Sequence, residues 1–421
     1  MATDPPFPVR VVMPWAVIAG VVLVALSLRG PIVAPAPVIG EIRSDLGLSA
    51  TAAGLLTSLP VLCFALATPL ATRVIRRAGP ELAVVTCLLG VLAGTVVRSS
   101  GPSWAVFAGT AVIGAAITIG NIVVPVIIRR DVHWSRTSVV TGVYTAALNV
   151  GSMITSLGTA PLAAAFGWRW ALAAWGLFAA VGAVFWMWLA RRRSTTAAAA
   201  ATAGTDAVTP PTNAEPAPGA TARTSDRVDR IGWLLLVAFC GQSFSYFAVS
   251  AWLPTLLADT RGLGATASGA TASLFQIAAI AGAFTVPVIA ARAPAWVPVV
   301  VIGALWTVLP LGLLLAPGAF TTWSVVGGIA QGGGYVAILS ILARVARTDQ
   351  ETASMSARVH AGGYVAATFA APLAGALSSA TGGWTAPLLL VLGATLTFSV
   401  GGIGAALLAR RRPGPAAAVL E

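Results

Sequence analysis

The stretch Gly47–Leu59, GLSATAAGLLTSL, returns as Gly262–Leu274, GLGATASGATASL, at an offset of 215 residues. In a chain of 421 residues that offset is about half the length, and each copy leads into the second apolar run of its half. Recurrence at equivalent places is the mark of a duplicated unit. Parallel repeats related by an axis along the membrane normal are a known plan for carriers.

The surroundings of both copies suit lipid. Hydrophobic residues make up 57% of the chain and charged residues 9%, with a mean hydropathy of +0.88. Soluble domains carry about a quarter charged residues. Crossing the hydrocarbon takes about 20 largely apolar residues. Twelve such runs are predicted, roughly at 11–37, 51–72, 80–97, 104–128, 137–160 and 169–190, then 231–257, 266–290, 296–315, 321–343, 353–378 and 384–408. The first also has the look of a secretory signal, but it continues past Arg29 and is read as a span. The fold expected is an all-α membrane protein of twelve transmembrane helices in two pseudo-symmetric bundles of six. The bundles are 1–190 and 231–421, the second ending in a short cytoplasmic tail. The segment 191–230 between them contains Ser194–Asp226, rich in Ala, Thr and Pro with little to bury, and reads as a flexible cytoplasmic linker.

Charge gives the orientation. All 25 basic residues are arginine, and the net charge is +12. With both termini cytoplasmic, 20 arginines fall on the inner side and 4 on the outer side (Arg43, Arg98, Arg169 and Arg261). That asymmetry follows the positive-inside rule. Topology therefore accounts for the basic balance, and no nucleic-acid partner is implied.

Arg29 is the one arginine left inside the membrane, in VVLVALSLRGPIVAPAPVIG, Val21–Gly40. An arginine at the centre of a bilayer costs at least about 2.5–3.5 kcal/mol on insertion scales. None of the 13 acidic residues falls in the interior of a predicted span, Glu81 standing at the start of one. Arg29 thus needs water, carbonyls, aromatic faces or an anion, and its planar fork of donors suits bidentate capture. Two readings stand at this point. Either the guanidinium meets the cargo, or it bonds to carbonyls freed by a helix break at Gly30 and Pro31.

Other polar groups complete the inventory. His360 lies about 10 Å into the eleventh predicted helix and could carry a proton. Asn121 falls in the fourth span, Tyr144 and Asn149 in the fifth. Gln242 and Tyr246 share a face of the seventh, Gln276 lies in the eighth, and Gln331 and Tyr335 share a face of the tenth. Each could contact cargo or bond between helices. Cys63, Cys87 and Cys240 are scattered, and no His/Cys cluster offers a metal site. GGIAQGGGYVA, Gly327–Ala337, lacks the strand and the GK[ST] of a phosphate loop. No metal or cofactor is expected.

The segments LSLRGPIVAPAPVIGEIRSDLGLSATAAGLLTSLPVLCF, GNIVVPVIIRRD, TGVYTAALNVGS, GQSFSYFAVSAWLP and SLFQIAAIAG carry a resemblance. The six-plus-six plan resembles the major facilitator superfamily, and these segments look like its bacterial cyanate and 2-nitroimidazole transporter family. The resemblance implies two bundles rocking about a central site, a small planar polar or anionic solute, and the bacterial cytoplasmic membrane as location. A superfamily gating loop would fall on Arg73, Arg76 and Arg77, but Thr72 stands where its acidic residue is expected. His360 departs too, at a place where a glutamine-like residue is expected.

The function expected is secondary transport by a monomer in the lipid bilayer, with Arg29, Asn121, Tyr144, Asn149, Gln242, Tyr246, Gln276, Gln331 and Tyr335 lining the cargo site. His360 is the candidate for proton coupling. An efflux carrier for toxic planar compounds is the alternative of the same fold, and a membrane receptor without transport the remote one. Enzymatic chemistry would need paired carboxylates or a metal cluster within the bundle.

Overall fold

The computed structural model describes residues 14–132, 134–202, 226–294, 296–345 and 349–409, and their regular structure is helical throughout. In the first half the elements are α1 (Pro14–Val33), a 3-10 turn (Ala36–Val38), α2 (Ile39–Leu46), α3 (Ala50–Leu66), α4 (Thr68–Ser100), α5 (Ser103–Asp131), α6 (Trp134–Phe166), α7 (Trp168–Ala174) and α8 (Gly176–Thr202). In the second they are α9 (Asp226–Arg261), α10 (Ala265–Arg292), α11 (Trp296–Leu315), a 3-10 turn (Pro317–Ala319), α12 (Phe320–Val345), α13 (Asp349–Thr368), α14 (Ala370–Thr381) and α15 (Thr385–Ala409). Among the described residues, ten stretches are long and apolar enough to cross a membrane, and Ala50–Leu66 is a shorter apolar helix. The run expected at 137–160 is helical as α6, but it carries buried Asn149, Ser152, Thr155, Ser156 and Thr159. Those side chains dilute its hydropathy while they face protein.

Backbone breaks recur at the repeat offset. Gly47 closes α2 at φ 63° and Gly262 follows α9 at φ 66°; Gly167 and Gly382, also 215 residues apart, have φ 81° and 65°. These left-handed positions suit glycine because it has no Cβ. A tryptophan follows closely in each half and bonds back to the first break. Trp168 Nε1 donates to Asp45 Oδ2 at 3.2 Å, and Trp384 Nε1 to Asp259 Oδ2 at 2.9 Å. The duplication read from the sequence is therefore also a duplication of turn geometry and of the bonds that hold the turns.

Three features differ from the sequence reading. The α1 break falls later than Gly30 and Pro31: the helix runs to Val33, and Ala34 N still donates to Gly30 O at 2.9 Å. Pro31 is tolerated because its ring removes only one donor, and the turn comes where Pro35 and Pro37 remove two more. Second, α3 passes through a helical Ala67 into α4, whose kink is at Gly79, φ 78°, with Pro80 opening the next segment. Third, α8 continues past the expected linker boundary at 191 as far as Thr202.

Helix α1 packs on α6 and α8, and α4 on α5; α9 packs on α13 and α15, and α10 on α12. The two sets meet where α3 runs beside α13 and α14, and where α6 runs beside α10. Leu177, Val184, Leu389 and Val400 point outward from the perimeter, an apolar exterior suited to acyl chains rather than water.

Candidate functional site

Arg29 lies on α1 one turn before the break. Helix α6 can approach it because Gly151 faces the α1 backbone: a Cβ there would lie 2.8 Å from Leu26 O. The close approach brings Asn149 alongside, and Arg29 Nη1 donates to Asn149 Oδ1 at 3.5 Å. The Asn149 amide nitrogen donates to Thr145 O at 3.0 Å, which turns its oxygen toward the guanidinium. On the other side Tyr246 of α9 presents its ring, 5.0 Å from the Arg29 Cζ, a cation–π contact. Half-buried Arg29 makes no ion pair with a carboxylate among the described residues. One long hydrogen bond and one ring face leave most of its donors uncommitted.

All four tyrosines of the chain gather here. Tyr144 on α6, Tyr335 on α12 and Tyr364 on α13 lie within electrostatic reach of Arg29, and Tyr246 lies beneath it. Tyr335 Oη is 3.3 Å from His360 Nε2, and His360 Nδ1 is 2.8 Å from Ser356 O. A carbonyl can only accept, so Nδ1 carries a proton, and in the neutral ring Nε2 accepts from Tyr335. Phe239 packs against this group, its ring tilted to His360 and Tyr335 and edge-on to Tyr364, with centroids 4.9 Å from His360, 5.7 Å from Tyr364 and 6.0 Å from Tyr335. Phe64 of α3 closes it from the first half, edge-on to Tyr364 at 5.4 Å.

Phe64, Phe239 and Tyr364 were not among the residues the sequence singled out. A signal for Tyr364 was present: it lies four residues after His360 and 215 after Asn149, the repeat offset.

The glutamines make their bonds within the second half. Gln242 Nε2 donates to Gln331 O at 2.7 Å and its Oε1 accepts from Trp306 Nε1 at 2.6 Å, so both ends of that amide hold α9, α11 and α12 together. Gln276 Nε2 donates to Ser250 Oγ at 3.3 Å. The side-chain oxygens of Gln276 and Gln331 are buried with no protein donor among the described residues. None of the three bonds to Arg29. Asn121 on α5 is half-buried and makes no hydrogen bond among the described residues.

The loop arginines Arg73, Arg76 and Arg77 are exposed on α4 before the Gly79 kink, with no ion pair among the described residues. The ion pairs at this end lie nearby instead. Glu81 and Asp131 are each bridged by Arg130 and Arg193, tying α4, α5 and α8.

At the end of the molecule where α3 begins, the two halves touch backbone to backbone. A Cβ on Gly54 would lie 2.7 Å from Ala371 O, and one on Gly269 2.6 Å from Ser156 O. Ser156 Oγ donates to Gly269 O at 3.2 Å, and Trp252 Nε1 to Ala371 O at 2.8 Å.

A chain with ten described stretches long and apolar enough to cross a membrane has the make-up of a polytopic membrane protein. The chain belongs to the Major Facilitator Superfamily, whose sequence profile matches residues 17–327. It is thus a transporter and not an enzyme. It is 31% identical over 395 residues to the uncharacterized transporter YycB of Bacillus subtilis (strain 168), covering 92% of each chain. It is 28% identical over 390 residues to the 2-nitroimidazole transporter of Escherichia coli (strain K12), covering 92% of this chain and 94% of that one. The cyanate transport protein CynX of the same strain is 26% identical over 271 residues, 64% of this chain and 65% of that one. Among solved structures, the D-xylose–proton symporter has a TM-score of 0.65 at 12% identity, covering 94% of this chain and 97% of that one.

Proposed function

We propose that the chain moves a small planar polar or anionic solute across the bacterial cytoplasmic membrane by alternating access, as a monomer of twelve spans in two six-helix bundles with both termini in the cytoplasm. The observation that carries this reading is Arg29. It is a half-buried guanidinium on a membrane helix, without a carboxylate partner among the described residues, held between Asn149 of one half and Tyr246 of the other. An electron-rich cargo end supplies the acceptors that Arg29 lacks. Because Arg29 and Tyr246 belong to different halves, cargo bound between them is released when the halves rock apart.

The tyrosines and Phe239 offer flat faces to a planar body, and the buried, unbonded oxygens of Gln276 and Gln331 become acceptors for a cargo N–H when the halves move. Asn121, half-buried on α5, is assigned to the same path in this reading. With the orientation that the arginines support, the Gly54–Ala371 and Gly269–Ser156 contacts form the outer seal. His360, bonded to Tyr335, is the proton carrier of this scheme, and the Arg73, Arg76 and Arg77 segment is the inner gating loop.

The number of rings favours a planar organic solute over a small linear anion. The alternative of the same fold, efflux of toxic planar compounds, uses the same site in the opposite direction, and the rings serve either direction alike. The test is flux into liposomes holding only this protein, with 2-nitroimidazole and cyanate as probes. Protein-dependent flux of either supports the carrier reading, and faster 2-nitroimidazole flux supports the planar organic cargo. Flux equal to that of empty liposomes for both probes and for close analogues contradicts the reading.

A further inference from the structure

Arg98 counts among the outer-side arginines by sequence, yet it is one of the most buried side chains of the molecule, 1% exposed in the last turn of α4. Its Nη1 donates to Pro31 O at 2.6 Å, while Nε and Nη2 are buried without a partner among the described residues. Burying a guanidinium on a single acceptor is costly, so the acceptor must be one that is worse left unbonded. The identity of that acceptor explains its place. In a helix the carbonyl of residue i accepts from the N–H of residue i+4. Four residues after Pro31 stands Pro35, which has no N–H. The preceding carbonyl, that of Gly30, is served normally by Ala34 N at 2.9 Å. Within α1 the Ser27 carbonyl already lacks the N–H of Pro31; at the end of the helix the Pro31 carbonyl is the first to lose its donor, and Arg98 reaches across from α4 to serve it.

We infer that Arg98 is a positioning residue for the cargo site: its guanidinium replaces the hydrogen bond that Pro35 cannot give and so fixes the tip of α1, where Arg29 sits two residues earlier. This rests on the reading of Arg29 as a cargo contact. The α4 backbone is itself clamped at this point, because a Cβ on Gly109 of α5 would lie 2.4 Å from Arg98 N. A fixed strut thus runs from the α4–α5 contact to the end of α1. Without it, α1 would end in an unbonded carbonyl beside the break, and the Arg29 side chain would lose its fixed aim at the site.

Second-site rescue tests this. Arg98→Met removes the donor, and Pro35→Ala in the same chain restores a backbone N–H four residues after Pro31. Pro35 has φ −66° and ψ −27°, which alanine adopts without strain. Each variant is purified as the full chain, its unfolding midpoint is measured without cargo, and 2-nitroimidazole flux is measured in liposomes. Arg98→Met should lower the midpoint and raise KM roughly tenfold, as expected for loss of a charge-assisted hydrogen bond, with the maximal rate changed much less. The double variant should recover both the midpoint and KM. An unchanged KM in Arg98→Met, or a double variant with no recovery, overturns the assignment. If Arg98→Met does not accumulate in the membrane, accumulation of the double variant supports it and continued absence overturns it. An Arg29→Ala chain with normal KM would remove the cargo role of Arg29, while recovery of the midpoint would still decide the Arg98–Pro31 bond.

Discussion

Replacing Gly54 by leucine should drive the two halves apart at the end where α3 meets α14. A Cβ at Gly54 lies 2.7 Å from both Ala371 C and Ala371 O and 2.8 Å from Pro372 N, all of them backbone atoms. Ordinary contact distances between carbons are about 3.5–4.0 Å, so α14 has to retreat before the rest of the leucine is accommodated. Overpacking of this kind costs about 1–3 kcal/mol. The cost falls only on the conformation in which the helices touch, so the ratio of open to closed forms at this end should shift about 5–150-fold. Spin labels on cysteines placed at Thr51 and Ala380, both exposed, report the separation directly in a chain whose native cysteines have been replaced. The expected result is a longer-distance population in Gly54→Leu and a loss of flux. Gly393→Leu, where nothing lies within 4 Å of the added carbon, should change neither. A Gly54→Leu distance distribution indistinguishable from that of the parent chain would refute the account of the seal.

Other outcomes follow from the same geometry. Gln242→Leu leaves the Trp306 indole and the Gln331 carbonyl without their partner, at about 1–3 kcal/mol for each buried group; a lower unfolding midpoint with nearly unchanged KM is expected, and a KM effect without loss of stability would reassign Gln242 to the cargo. Tyr364→Ala removes the ring that Phe64 and Phe239 pack against and should raise KM for 2-nitroimidazole more than for cyanate, measured as competing fluxes. His360→Gln should flatten the pH dependence of flux, because an amide cannot take up the proton that Nε2 can accept; an unchanged profile would remove His360 from coupling. Glu81→Gln takes one carboxylate from the Arg130–Arg193 cluster; Asp131 still pairs with both arginines and Arg130 is partly exposed, so the expected loss is about 1 kcal/mol.

The all-helical, apolar build, with ten long apolar stretches among the described residues, was legible because lipid imposes length and hydropathy on each helix regardless of its neighbours. The duplication was legible because its turns need glycine: Gly47 and Gly262 take the same left-handed backbone at the same offset. Arg29 stood out because charge is costly where it lies. The facing of the helices was harder to read, since membrane helices are apolar toward lipid and toward protein alike. Phe64 and Phe239 differ in composition from no lipid-facing phenylalanine, and only packing places them beside Tyr364 and His360. Arg98 shows the same limit from the other direction. Two residues from the end of α4 it reads as a surface charge, and the proline spacing that draws it inward lies 67 residues away in sequence. The α1 break was placed too early for a related reason: one proline inside a helix deletes one donor, whereas the chain turns only where Pro35 and Pro37 follow.

The central claim is that cargo completes the coordination of Arg29. Its most direct test is the affinity of the purified protein for 2-nitroimidazole, measured by calorimetry beside Arg29→Ala, with unfolding midpoints taken to confirm that both chains are folded. Loss of one to two charge-assisted bonds, each about 1.5–3 kcal/mol, predicts at least about tenfold weaker binding at an unchanged midpoint. Equal affinity in the two chains would contradict it.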